Sequence, residues 1–291
     1  MKRAIIILLT ILSCLGVTAQ DFNRSEYSFN ICGGVSCFQT NPTDGKAFRN
    51  GTFTTGLGYH FFFHPQWGIG TGVNYTEYND GISIDDFHKQ QEAINIKTGS
   101  AFDFHITMTG YRERHQVVTI NIPLMLQFQS KGKTAFYTAL GGKTNILFSA
   151  INRAEGVFTT TGYFPNVNVT YENLPDYGFV NNQPIPGHKT DIKLKTAFIA
   201  SAELGVKWRP VDKFILYTGV YTDYGLNNIL NSSATDLVVY QSNIPAIFAY
   251  NTAVNVYARQ MKPFAFGLTI RVATEFMSGG RRNFMSGGRR N

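Results

Sequence analysis

The chain has 291 residues, 43% of them hydrophobic and 15% charged, and a formal net charge of +7. Lys2 and Arg3 belong to a leader and Arg281, Arg282, Arg289 and Arg290 to a tail, so the body itself carries about +1 and has no general basic footprint for nucleic acid. After the leader no apolar run reaches the roughly 18 residues that a membrane-crossing helix needs, so any membrane role requires strands.

Met1-Lys2-Arg3 is basic, Ala4 to Val17 is an almost unbroken apolar run, and Val17-Thr18-Ala19 supplies small residues for cleavage. Residues 1–20 therefore read as a secretory signal peptide, too short to span a bilayer. Ile11-Leu12-Ser13-Cys14 also loosely fits a lipoprotein signal acylated at Cys14, and that alternative stays open. The mature part is one large all-β domain or two smaller ones. Its two cysteines, Cys32 and Cys37, are five residues apart on one strand and point to opposite faces, which disfavours a disulfide and favours two small space-filling thiols.

Alternation with period two then recurs along the chain. The first segment, Tyr27 to Cys37, sets Tyr27, Phe29, Ile31 and Val35 against Ser28, Asn30, Gly34 and Ser36. Phe53 to Phe61 and Trp67 to Tyr75 repeat the pattern, with Gly68, Gly70 and Gly72 on the small face of the latter. Val118 to Gln129, Phe136 to Ile146, Phe198 to Trp208 and Phe264 to Val272 supply four more strands. Phe214 to Tyr224 is apolar in both registers and cannot be oriented. Ala101 to Thr109 also alternates, and either extends a hairpin or adds strands, so that eight strands are expected and ten remain open.

The face opposite the apolar one is rich in Gly, Ala, Ser and Thr with a few charges, as the narrow lumen of a small membrane barrel requires. His60, Lys143, Glu203, Lys207 and Arg271 are expected to form a lumenal polar network. Connections alternate in length: 64–66, 130–133 and 209–213 are short, whereas 39–51, 79–117, 148–196 and 226–262 are long. That is the arrangement of an antiparallel up-and-down transmembrane β-barrel with short periplasmic turns and long extracellular loops. It places Trp67 and Trp208 at the periplasmic rim and Tyr75 and Tyr224 at the outer rim, an aromatic girdle at each interface.

In this order, Trp67-Gly-x-Gly-x-Gly72, Ile122-Pro123-Leu124, Ala202-Glu-Leu-Gly-Val-Lys-Trp208 and Tyr217-x-Gly-x-Tyr-x-Asp-Tyr-Gly-Leu-Asn-Asn-Ile229 resemble the small OmpA-like outer-membrane β-barrels of Gram-negative bacteria. The resemblance covers Tyr27 to about Phe276 and implies outer-membrane lipid as surroundings. It also implies that Gly267, Ile270 and Val272 form a terminal-strand signal read by the barrel assembly machinery, with Ala265 where a polar residue is usual. The barrel is thus expected over 21–276, without the peptidoglycan-binding domain that many relatives carry, and the basic tail over 277–291 follows on from Phe276, with Phe276 to Asn283 repeated as Phe284 to Asn291. That basic repeat suits either a periplasmic anionic partner or no role at all.

Catalytic and metal constellations are absent from this reading, and no cofactor is expected. Ser83-Ile-Asp85-Asp86 is read as a capping-box-like start of a short loop helix, which takes Asp85, Asp86 and His88 out of consideration as a site. Asp103 and His105 are read as a solvated pair. The aromatic, Asn-rich stretches 158–177 and 238–257 suit partner recognition and, equally, a shielding canopy. The expected function is a non-enzymatic barrel, either an accessory subunit of a larger outer-membrane assembly (secretion, uptake or barrel insertion) or a stand-alone structural or weakly pore-forming protein.

Overall fold

The computed structural model describes residues 24–95, 98–185, 189–231, 234–241 and 247–277. The leader and almost all of the repeat tail lie outside them. Eight long strands form the frame: β1 (Arg24–Phe38), β2 (Lys46–His64), β3 (Trp67–Ile94), β4 (Ala101–Gln129), β5 (Thr134–Phe164), β6 (Ala197–Val211), β7 (Phe214–Gly225) and β8 (Pro263–Met277). Neighbours in sequence pair antiparallel, and β8 closes on β1 from Arg24↔Met277 to Phe38↔Pro263. The seven alternating segments and Phe214 to Tyr224 are all strands, Ala101 to Thr109 extends the β3–β4 hairpin, and the ring closes at eight.

Two glycines show why the inward face is small. A Cβ at Gly70 would strike the His60 ring, and one at Gly205 would meet the Tyr137 ring at 2.8 Å. The inward large side chains therefore fit only opposite residues that have none.

The outward face of the lower barrel is greasy and uncovered, with Leu57 and Leu268 each 67% exposed and Leu124 59%. On β4 this belt runs from Phe128 to about Val118, near 25 Å of height at about 3.3 Å per residue and ordinary barrel tilt, which matches a hydrocarbon layer. A lysine at Leu268, near mid-belt, is expected to cost about 2–4 kcal/mol. Urea unfolding in detergent checks this, and an unchanged midpoint would argue against lipid contact there.

Above the belt the alternation inverts. On β3 the outward residues change from Val73 and Tyr75 to Glu77, whose carboxylate accepts from Gln116 Nε2 at 2.7 Å and Asn79 Nδ2 at 3.1 Å. Inward residues turn apolar: Tyr78, Ile82, Ile84 and Phe87 on β3, then Phe102, Phe104, Ile106 and Met108 on β4, all buried. The switch marks the level at which the surroundings change from lipid to water.

Two expectations are corrected here. Residues 79–117 are not a loop but the continuation of β3 and β4, paired from Asn79↔Gln116 to Ile94↔Ala101. Ser83 to His88 accordingly forms no helix; Asp86 pairs with Thr109 and His88 with Thr107. Cross-strand pairing and the burial of Ile82, Ile84 and Phe87 outweigh the local capping preference.

Candidate functional site

Within the barrel the inward polar residues are stacked in layers rather than gathered in one network. Lowest, Arg24 Nη2 lies 3.2 Å from Glu26, Arg209 Nη2 lies 2.5 Å from Glu275, and Lys207 Nζ donates to Gln129 Oε1 at 2.9 Å. Tyr217 OH donates to Glu26 at 2.7 Å. Above it, Arg271 contacts His60 Nε2 at 2.9 Å and donates to Gln127 Oε1 at 2.6 Å, with its guanidinium 4.1 Å over the Tyr217 ring. Next, Lys143 Nζ pairs with both Asp223 oxygens at 2.9 and 3.0 Å, and Ser201 Oγ donates to Asp223 at 2.6 Å.

Glu203 borders a cavity of about 50 Å³ together with Lys143, Arg271 and His60. That volume holds a few waters. His60, Lys143, Glu203, Lys207 and Arg271 thus all line the lumen, but Lys207 belongs to a different layer from the rest. Sequence reasoning missed Glu26, Gln127, Asp223 and Glu275. Asp223 sits on the strand that could not be oriented; its partner residues Ile215, Tyr217 and Tyr221 are buried, whereas Phe214, Val220 and Tyr224 face out.

Trp67 and Trp208 are 40% and 42% exposed beside the short turns, and Tyr75 and Tyr224 lie toward the opposite end at 38% and 45%. Gly267 backs onto Gly34 across the closing seam, with Ile270 and Val272 facing outward. Both cysteines are free, Cys32 being buried and 3.3 Å from Thr269 Oγ1.

The extracellular half is a folded dome rather than a set of open loops. Its apolar interior takes Phe102, Phe104 and Met108 from β4, Phe158 from β5, and Phe179, Val238, Ala253 and Val254 from the connections. Phe102 stacks on Phe164 at 4.9 Å and meets Phe179 edge-on at 5.7 Å. Of the two stretches expected as recognition surface, Phe158, Thr160, Val238, Thr252, Ala253 and Val254 are buried in the dome, because a ring of strands this tall leaves an interior that must be filled, whereas 165–176 is exposed. Asp103 and His105 lie on the outer face of β4 at intermediate exposure.

Where dome meets barrel, a buried polar chain ties four segments. Asp80 Oδ2 accepts from the Phe38 N–H at 2.7 Å, and Asp80 Oδ1 lies 3.0 Å from His115 Nδ1. His115 Nε2 is 2.6 Å from Glu113, which also accepts from Tyr111 OH and the Ala253 N–H, each at 2.5 Å. Burial alone would lower the His115 pKa, but the hydrogen bonds and charges of Asp80 and Glu113 outweigh it and hold the imidazolium up to about 10. Burial likewise favours neutral Glu113, yet His115, Tyr111 and the Ala253 amide hold its carboxyl below the usual range.

The far tip carries a groove of about 410 Å³ between the turn at 95–100 and the loop 164–179. Phe164, Val167, Tyr171, Leu174 and Phe179 form its apolar side, with Thr98 and Ser100 opposite.

The model of the outer membrane protein beta-barrel domain family matches residues 15–231. The chain is similar to the crystal structures of Neisserial surface protein A (9% identity, 87% of this chain and 99% of that one, TM-score 0.34) and of the outer membrane protein OprG from Pseudomonas aeruginosa (13%, 87% and 96%, 0.35). It is also similar to Ail, the attachment invasion locus protein of Yersinia pestis (12%, 88% and 100%, 0.26). No curated protein matches it.

Proposed function

Given that the chain belongs to the outer membrane protein beta-barrel domain family and resides in the bacterial outer membrane, we propose that it is a non-enzymatic accessory subunit whose extracellular dome recognises a partner in a larger outer-membrane assembly. One observation supports this above the others: the strands continue past the belt into a dome with its own apolar core, while the lumen is packed with side chains. A barrel whose role was only to occupy the membrane has no use for β3, β4 and β5 of 28, 29 and 31 residues, whereas a rigid raised platform serves recognition. Lipid covers the belt, and insertion by the barrel assembly machinery through Gly267, Ile270 and Val272 is part of the reading.

Mild-detergent purification followed by mass spectrometry is expected to recover a stoichiometric outer-membrane companion. A monodisperse monomer with none would leave the stand-alone structural barrel instead. In planar bilayers the protein is expected to give no sustained channel steps, because ion-paired layers fill the lumen and the cavity beside Glu203 is about 50 Å³. Steady conductance would favour the weakly pore-forming alternative.

A further inference from the structure

We propose that the tip groove is a docking site for a cationic, amphipathic polypeptide segment of the partner, an inference that deepens the recognition reading and rests on it. Four observations carry it. The first is exposure: Val167 is 60% exposed, Tyr171 41% and Leu174 40%. These side chains lie at the end of the dome farthest from the apolar belt, so lipid does not account for them, and an uncovered apolar cluster in water marks an interaction surface.

The second is rigidity. Asn168 and Asn173 hold the left-handed turns of the loop, at φ 52° and 50°, a conformation that asparagine tolerates. Thr160 Oγ1 donates to the Gly178 carbonyl at 2.7 Å and accepts from the Val180 N–H at 3.0 Å, while Tyr163 OH donates to Asn168 at 3.0 Å. A surface held this way loses little freedom on binding.

The third is size, since about 410 Å³ lies within the ordinary range of ligand sites, about 300–1,000 Å³. The fourth is charge. Across 95–104 and 157–185 the sequence carries Asp103, Glu172 and Asp176 against a single lysine, Lys97, and no arginine, a net charge of −2. Glu172 and Asp176 flank Tyr171, Leu174 and Tyr177 directly in sequence. Apolar side chains of the partner would enter the groove, and lysine or arginine beside them would meet these carboxylates and the tyrosine ring faces.

The test uses the full-length protein in uncharged detergent, titrated with a fluorescent peptide of about ten residues alternating lysine and phenylalanine. Its glutamate-for-lysine counterpart and a neutral oligosaccharide serve as competitors. The lysine peptide is expected to bind at least about ten-fold tighter than the glutamate peptide and to weaken with salt. Tyr171→Ala with Leu174→Ala should lose about ten-fold and Asp176→Asn about three-fold. Both variants alter exposed side chains, so their heat-modifiable gel shift should persist. Equal affinity in the double variant, preference for the glutamate peptide, or displacement by the oligosaccharide overturns the inference. If a companion still co-purifies after such a result, the recognition reading stands and only the chemistry of the groove falls.

Discussion

Replacing His115 with glutamine is expected to free the last long connection from the dome while the barrel below stays closed. The imidazolium lies between two carboxylates, Asp80 at 3.0 Å and Glu113 at 2.6 Å, and all three side chains are essentially excluded from solvent. Removing it strands two buried anions, a change that costs about 3–5 kcal/mol. Glu113 then loses the charge that keeps it ionised and able to accept from Ala253 at 2.5 Å and Val254 at 3.3 Å. Arg259 follows that anchored turn, so trypsin should cut the variant there and spare the native protein. The protein's two tryptophans, Trp67 and Trp208, sit beside the short turns at the other end. Their fluorescence unfolding transition should therefore stay in place, and a shifted tryptophan transition without new cleavage would show that the chain of bonds does not act locally.

The same junction sets a pH window. His115 has its pKa raised from 6.5 to about 10, so its contribution is complete below pH 6.5 and disappears as pH rises through about 10. Glu113 is shifted the other way, below 4.5, so its contribution is complete above pH 4.5 and is lost as pH falls through its lowered value. Protection of the 252–257 amides from exchange should be greatest between about pH 4.5 and 6.5 and should decline toward both extremes.

The membrane half of this architecture was legible because lipid imposes a simple rule on strands: apolar outward, small or polar inward, short turns on one side. Tyr27, Leu57, Leu124 and Leu268 announce it without help from distant residues. The dome obeys the opposite rule, that of a water-soluble core, and one period of two serves both. Phe102, Phe104, Ile106 and Met108 alternate as clearly as any membrane strand, yet nothing local says that they point in rather than out. Register across β3 and β4 decides that, and register is a long-range property. Asp80, Glu113 and His115 were invisible for a related reason, since Asp80 is far in sequence from the other two and meets them only when β3 and β4 pair. Asp223 was hidden by its own strand, where Ile215 and Tyr217 made the inward face look as apolar as the outward one.

Asp223→Ala is expected to destabilise the barrel itself by about 3–5 kcal/mol. Lys143 is only 10% exposed in its side chain and Asp223 8%, so truncating the acid leaves an ammonium deep in the lumen without its 2.9 Å partner. The Tyr221 ring, 5.6 Å away, and Glu203 on the cavity wall compensate only in part. Adding Lys143→Met to Asp223→Ala should recover most of the loss, because removing both charges also removes the desolvation that each suffers. Here the tryptophan transition in urea is the proper measure, and trypsin sensitivity at Arg259 should not change, the reverse of the His115 pattern. If the single variant proves as stable as the native protein, or the double variant no better than the single, the pair is solvated from the cavity and the lumen is wetter than its packing implies.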